Sequence, residues 1–412
     1  MLYRNARGDP SRAFVFMRDA VLLRNVRIVL TDGTTEPASV LIEGRRITRV
    51  VDSTEVPPAS SQVVDLTGLT LFPGFIDIHI HGAAGVDTMD TTADGLHKIA
   101  VFLRNNGVTA WVPTLVPASP EGYERAIRAI SEVIDDQKSH LPFPEARVLG
   151  VHYEGPFVND EQCGALHREH FRTFKQISDV DSLPTLPHSE AIHMTTLAPE
   201  IEGGIALINE LTRRSWIVSI GHTRATVDIL DQAFAEGARH MTHFMNAMTP
   251  LHHRAPGPIG WGLMNDQVTC DLIADGIHLD QSILKLILRN KTSKRVSLIS
   301  DAIAATGLGD GEYQIWGETI VVKNNRTRNS HGSIAGSVIT IIDALRMMLS
   351  LGSSESEVAQ MAALNPARLL KLDHDCGSIE AGKRADLVAL DEKRQVRLTI
   401  IGGQIAFQDL PS

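Results

Sequence analysis

The stretch Leu71-Phe72-Pro73-Gly74-Phe75-Ile76-Asp77-Ile78-His79-Ile80-His81 decides the fold, because it is an apolar run that ends on two histidines one residue apart. On a β-strand a period of two points both side chains to the same side, so His79 and His81 can share a metal ion without backbone distortion. The same arrangement recurs along the chain. RVLGVHYEGP ends on Glu154, WIVSIGHT on His222, HMTHF on His243, VTCDLIADGIH on His278 and VSLISDA on Asp301. Between these runs lie amphipathic stretches of helical length, with Val227, Leu230 and Phe234 in one and Val338, Ile341, Leu345 and Met348 in another. Such alternation is the texture of βα units. No fixed-period repeat is present, which favours a closed barrel over a solenoid. A TIM-like (β/α)8 barrel sets the C-terminal ends of all its strands on one rim, so these seven residues can converge on one pocket.

Outward from the barrel the texture changes. From about Ala20 to Leu71, short alternating runs such as VLLRNVRIVL and ASVLIEGRRITRV are broken by Asp32-Gly33 and Glu43-Gly44, and RADLVALD, VRLTII and GQIAFQ repeat that pattern near the C-terminus. The two chain ends are therefore expected to pair into one small all-β domain. The predicted division is an N-terminal extension over 1–18, a small β domain from 19–71 and 378–412, and the barrel over 72–377.

Composition narrows the class. With 412 residues and 43% hydrophobic content the chain can bury a large core. A net charge of -10, from 49 acids and 39 bases with no long basic run, gives no support to nucleic-acid or membrane-surface binding. Cys163, Cys270 and Cys376 are widely spaced and odd in number, which suggests neither a disulfide framework nor a thiolate metal site. A cytoplasmic, reducing location is expected. No run approaches the roughly 20 apolar residues a membrane span needs.

A histidine at the end of an apolar run is, taken alone, more often a hydrogen-bonded core residue than a ligand. The combination alters that balance, because two imidazoles, a carboxylate and an open position are what a hydrolytic zinc site requires. Glu154, His222 and His243 supply this set, and His79 and His81 add a pair. His167, His170, His193, His252, His253, His331 and His374 stand in loop-like or helical contexts and read mostly as solvated. Asp301 has two readings: Ser-Asp after a strand is a common helix N-cap, and the same position suits a proton-transfer group.

Together these motifs resemble the amidohydrolase superfamily, and within it the N-acetylglucosamine-6-phosphate deacetylase family. The resemblance runs from PGFIDIHIHG (73–82) through HYEGPF (152–157), SIGHT (219–223), THFMNAMTPLHHRAPG (242–257), ADGIH (274–278), SDAIAATG (300–307) and GSIAGS (332–337) to GSIEAGKRADLVALD. It implies a TIM-like barrel beside a β-sandwich built from both ends, and a divalent metal, zinc or iron, on Glu154, His222 and His243. Asp301 matches the proton-shuttling acid. Some members lack the HxH pair and bind one metal, whereas this chain keeps both histidines, so a second ion bridged by Glu154 is compatible with it. Asn246 and Ala247 match a phosphate-binding loop, His278 a substrate contact, and Arg254 an arginine that reaches the phosphate of the neighbouring subunit, which implies a homodimer. The chain departs from the family after EGPF. A Lys-Gly-Ala-His segment, whose histidine helps bind the substrate carbonyl, is replaced by Gln162-Cys163-Gly164-Ala165-Leu166-His167, with the histidine one residue late.

The resemblance thus implies hydrolysis of the acetamide of N-acetylglucosamine 6-phosphate, with Gly164 and Ala165 at the substrate and His167 near the carbonyl. The alternatives are another N-acyl amino sugar such as N-acetylgalactosamine 6-phosphate, a cyclic amide, or a non-catalytic scaffold. The last has no need of His79, His81, Glu154, His222, His243 and Asp301 together.

Overall fold

The structure is a computed structural model, which describes residues 20–52, 61–139 and 144–410. The expected extension at 1–18 lies outside the described residues.

Eight parallel strands form the barrel: β1 (Phe75–Ile80), β2 (Val108–Leu115), β3 (Gly150–Glu154), β4 (Ile192–Leu197), β5 (Ile217–Ile220), β6 (His240–Met241), β7 (Thr269–Ile273) and β8 (Val296–Ile299). Each of them pairs in parallel with the next from β1 to β8. The ring closes at its rim. There the Asp301 N–H donates to the His79 carbonyl at 3.0 Å, and the His81 N–H to the Ala302 carbonyl at 2.8 Å. Below that point a side chain spans the seam: the buried Asp77 carboxylate accepts from the Ser300 hydroxyl at 2.5 Å and the Ser300 N–H at 3.3 Å. Side chains bridge here because a barrel must satisfy its last pair of edges, and an unpaired buried backbone N–H is costly.

Most crossovers contain a helix laid on the barrel by its apolar stripe. Helix α1 (Pro120–Ser139) buries Tyr123, Ala126, Ile127, Ile130, Val133 and Ile134, spaced by three and four residues. Pro120 suits the first turn of a helix, where its missing N–H has no partner to lose, and Glu121 and Lys138 lie at the ends that favour their charges. Each large side chain of such a stripe contributes roughly 1.5–3 kcal/mol of burial before ordering entropy is charged against it. Ile130→Ala would therefore cost about 2–5 kcal/mol. Helix α2 (Ile341–Ser350) starts later than the apolar spacing suggests: Val338 precedes it, and the Thr340 N–H donates to Asp343 Oδ2 at 2.9 Å.

Two features depart from a regular βα series. The connection from β3 to β4 contains only 3-10 turns, at Asp160–Gln162, Arg168–His170 and Ile177–Ser182. Between β8 and α2 an antiparallel sheet of three strands is inserted, Gly311–Ile315, Glu318–Lys323 and Arg326–Arg328. Ile315, Ile320 and Val322 of that sheet pack with Ile303, Ala305 and Ala335 into a small core of their own. Its first hairpin turns at Trp316 and Gly317, both at positive φ (54° and 75°).

The chain ends form the second layer system. Strand Ala20–Leu30 pairs with Ala38–Glu43 and Gln62–Asp65 through its first half and with Thr70–Pro73 through its second. It changes partners at a bulge between Leu23 and Val26, where Asn25 takes φ 60°. Bulges let one strand serve two sheets at a sandwich corner, and Asn tolerates the left-handed region better than most residues. Leu387–Leu390, Val396–Ile401 and Gln404–Gln408 extend the sheet from Thr70–Pro73. Leu23, Val40, Ile42, Ile47, Leu71, Leu387, Leu398 and Ile400 fill the space between. The strand Thr70–Pro73 runs across position 71/72, so the sandwich and the barrel share one continuous stretch of chain into β1. No described helix is long and apolar enough to cross a membrane.

Candidate metal centre at the barrel mouth

Alternation along β1 turns His79 into the barrel, where its ring meets that of His152 at 4.8 Å and that of His243 at 5.6 Å, both edge to face. At the rim the donor atoms converge. Glu154 Oε1 lies 2.9 Å from Nε2 of His222 and 2.9 Å from Nε2 of His243, and those two nitrogens are 3.1 Å apart. Glu154 Oε2 lies 3.2 Å from His81 Nε2, and His79 Nε2 is 3.1 Å from His81 Nε2. Two donor groups therefore share one carboxylate, Glu154-His222-His243 and His79-His81-Glu154, with the donor atoms of each within 4.8 Å of one another. Asp301 Oδ1 borders the second group, 3.4 Å from His79 Nε2 and 3.3 Å from His81 Nε2.

The backbone is strained where these side chains are aimed. His222, His243 and Asp301 each follow a strand by two residues and each take positive φ, at 48°, 30° and 50°. For residues with a Cβ this region costs of order 1–3 kcal/mol and persists only where the surroundings impose it. No helix begins at Asp301, so the N-cap reading of Ser300-Asp301 does not hold; its backbone instead bonds to His79 and Ser337.

Burial alone would lower the pKa of His81 and His243, yet hydrogen bonds to Asp301 and Glu154 push His81 up to about 10, and Glu154 pushes His243 up to about 9. Burial would likewise raise Glu154 and Asp301, but the facing histidines hold both well below the usual carboxylate range. Two buried carboxylates thus draw positive charge into a water-poor site. A divalent cation on the imidazole lone pairs would supply that charge in place of protons, and the donor set is one that could hold a metal ion.

The donor positions are set from behind. His222 Nδ1 is 2.7 Å from the Gln162 carbonyl; donation to it leaves the Nε2 lone pair facing Glu154. Gly164 lies beside the same ring: a Cβ there would be in ordinary contact, 3.5 Å from His222 Cε1. The His243 N–H donates to Asp271 Oδ1, and Asp271 Oδ2 is 3.0 Å from His240 Nε2. By contrast Nδ1 of His79, His81 and His243 makes no hydrogen bond among the described residues. His222 is the ring most firmly oriented.

The remaining candidates are placed less centrally. Asn246 donates back to the His243 carbonyl at 3.2 Å, and the Ala247 carbonyl accepts from the Thr223 N–H at 3.1 Å, so the loop after β6 is tied to the rim. Residues 251–256 beyond it are exposed, Arg254 touching His253 Nε2 at 2.7 Å. His278 stands five residues past β7 and is 2.7 Å from Asp275 Oδ2, outside the donor cluster. Leu166 is buried in the main core, and His167 turns outward to Glu169 (3.3 Å) and Glu318 (3.8 Å). Ala165 packs against the core of the inserted sheet. His193, read from sequence as mostly solvated, lies in β4, accepts the Leu186 N–H at 2.9 Å and stacks on Trp216.

Several polar residues were not singled out by sequence. His152 Nε2 is 2.8 Å from Thr196 Oγ1, which meets Thr242 Oγ1 at 2.7 Å, and Ser219 completes the layer beneath the donors at 2.5 Å from Thr242. Burial first, then the neighbouring His79, holds His152 well below the usual imidazole pKa, so it stays neutral. His152 precedes Glu154 by two, a spacing that puts both on one strand face. Trp316, from the inserted hairpin, sets its ring edge to face with His81 at 5.3 Å.

Comparison with known proteins agrees with this geometry. The amidohydrolase family profile matches residues 70–406. The chain is 36% identical over 396 residues to an N-acetylglucosamine-6-phosphate deacetylase of Bacillus subtilis, covering 95% of this chain and 98% of that protein. It is also 36% identical over 352 residues to an N-acetylgalactosamine-6-phosphate deacetylase of Escherichia coli O157:H7, covering 85% and 91%. Among solved structures, the N-acetylglucosamine-6-phosphate deacetylase of Thermotoga maritima superposes with a TM-score of 0.83 at 34% identity, over 94% of this chain and 100% of that one. With barrel, shared-carboxylate donor cluster and near full-length relatives in agreement, the chain belongs to the amidohydrolase family and is a hydrolase.

Proposed function

We propose that this protein hydrolyses the acetamide of N-acetylglucosamine 6-phosphate to glucosamine 6-phosphate and acetate. The observation that carries the proposal is Glu154 at 2.9 Å from both His222 and His243 at the barrel mouth, in a chain whose near full-length relatives include deacetylases of that substrate. Glu154, His222 and His243 would hold the first ion, zinc or iron, and His79 and His81 with Glu154 a second. When bound, such a cation polarises a carbonyl and lowers the pKa of water.

The residues around it divide the work. Asp301, ionised and on the rim, takes a proton from the attacking water and returns it to the sugar nitrogen as the C–N bond breaks; an unprotonated amide anion is too basic to leave. Asn246, Ala247 and Arg254 hold the phosphate. Arginine suits that task because its planar fork can bond two oxygens at once. The exposed position of Arg254 supports its reaching a second copy of the chain, and hence a homodimer. His167 or His278 meets the carbonyl once substrate draws its loop inward. The chain divides into a catalytic barrel, 72–377, and a sandwich from 19–71 and 378–412. Three free cysteines support a cytoplasmic location.

A second reading has its own support. The relative of Escherichia coli O157:H7 is named for the galacto epimer and is as similar as the Bacillus subtilis protein, so N-acetylgalactosamine 6-phosphate is the competing substrate. An acetate-release assay across both epimers and their unphosphorylated sugars decides between them. No release from any of the four would overturn the deacetylase reading.

A further inference from the structure

The inserted hairpin gives the donor cluster a wall that neither its ligands nor its rim loops provide. Trp316 stands at the hairpin tip with its ring edge to face with His81, at a centroid distance of 5.3 Å. Its indole N–H has no hydrogen-bond partner among the described residues, and neither has Asp87 Oδ2. The two are near neighbours, and burial pushes the Asp87 carboxyl up to about 6 against the Met89 N–H that bonds it and the His81 ring beside it. On the far side of the indole lies a cavity of about 680 Å³. Met89, Val116, Pro117, Ala118 and Ile315 line its apolar part, and Asp90, Arg125 and His170 its polar rim.

The position of this cavity around the barrel gives it a meaning. Its walls come from the loops after β1 and β2, the start of α1, His167 and His170 of the β3–β4 connection, and the hairpin that follows β8. The loop carrying Asn246 and Arg254 follows β6, which in a ring of eight strands stands opposite β2. A substrate whose phosphate is held by the β6 loop, with its amide at the donor cluster, must direct its acyl group across the mouth to the β1–β2 side. Trp316, beside His81, stands on that side.

We propose that Trp316 is the acyl-length determinant of this enzyme: it closes the acyl side of the metal centre so that acetyl fits, and it holds back a cavity that would take a longer N-acyl chain. The inference rests on the deacylase orientation proposed above. Trp316 does not ligate or transfer protons; it acts by excluding volume. An aromatic wall suits this role because it is rigid and large, whereas one additional methylene in an open apolar pocket changes selectivity by only roughly 10- to 200-fold.

The test uses the metal-loaded full chain and two readouts. In calorimetric titration, acetohydroxamate should bind wild type well and hexanohydroxamate poorly, and Trp316→Ala should narrow that ratio by at least about tenfold at unchanged metal content. The kcat/KM ratio of N-hexanoyl to N-acetyl glucosamine 6-phosphate should move by the same factor. Trp316→Leu should give an intermediate ratio, and adding Ala118→Phe to Trp316→Ala should restore the wild-type ratio by refilling the cavity. A ratio unmoved in both Trp316 variants with metal retained overturns the proposal, as does equal binding of the two hydroxamates by wild type. Because hydroxamate binding needs only the metal centre, absence of acetate release alone would refute the deacetylase reading and leave the hydroxamate ratio to decide the wall.

Discussion

The Gln162 carbonyl lies 2.7 Å from His222 Nδ1, and this one contact links the segment in which the chain departs from its family to the ring that faces Glu154. The segment carries two tasks: its start orients the His222 ring, and its end places His167 away from the donor cluster. Replacing Leu166 by His and His167 by Leu would restore the family order but put an imidazole into the main core in place of a buried leucine. The double variant should lose about 2–5 kcal/mol of stability, comparable to emptying a leucine site, measured as a lower urea midpoint at unchanged slope.

Metal stoichiometry follows from the shared carboxylate. Glu154→Gln should lower bound metal at both groups at once, because Glu154 belongs to each. His79→Asn should remove at most the second ion and leave the first. Elemental analysis of each dialysed protein reads this directly, and equal metal content in wild type and Glu154→Gln would show that the cluster is not the metal site.

Asp301→Asn keeps the shape of the side chain but cannot accept a proton from water. General acid–base catalysis contributes typically 10²–10⁴-fold, so kcat should fall by at least roughly a hundredfold. Metal content must be measured on the same sample, since Asp301 borders His79 and His81 at 3.4 and 3.3 Å. Retained metal with most of the wild-type kcat would transfer the role to another group, His278 first.

Arg254→Ala should raise KM for the phosphorylated sugar by about tenfold or more, the loss of one charge-assisted contact of roughly 1.5–3 kcal/mol. Activity on the unphosphorylated sugar should not change. If Arg254 serves a partner's site, mixing Arg254→Ala with inactive Asp301→Asn chains should regenerate activity in heterodimers. Sedimentation as a monomer at assay concentration would remove the cross-subunit assignment.

Ser300→Ala removes the hydroxyl that bonds Asp77 across the seam and leaves a buried carboxylate oxygen without that partner. The expected loss is about 1–3 kcal/mol, seen in urea unfolding. Unchanged stability would mean that the rim bonds between β1 and β8 suffice to close the barrel.

The donor cluster was legible because each member follows an apolar run, and strand geometry converts that position into a shared rim. His79, His81, Glu154, His222, His243 and Asp301 all converge as that reasoning requires. His278 is not among the donor atoms: it stands five residues past β7 and bonds to Asp275, and such turn geometry is not encoded in apolar spacing. The hairpin bearing Trp316 escaped notice because its strands are short and half exposed, which reads as loop. His152, Thr196 and Thr242 were overlooked for the opposite reason. These buried polar residues pair with one another across the barrel, and a partner 44 or 46 positions away leaves no local trace.

Strand Thr70–Pro73 pairs with Ala20–Leu30 on one side and with Leu387–Leu390 on the other. During synthesis the N-terminal strands emerge first and then wait, one edge uncovered, until nearly the whole chain has left the ribosome. An open edge of this kind invites pairing with the wrong partner. The order of translation therefore makes the last strands a late clasp. Truncation after residue 386 would leave every metal-donor residue in place yet deprive the first-made sheet of its partner, so the defect should appear as low soluble yield before it appears as lost chemistry.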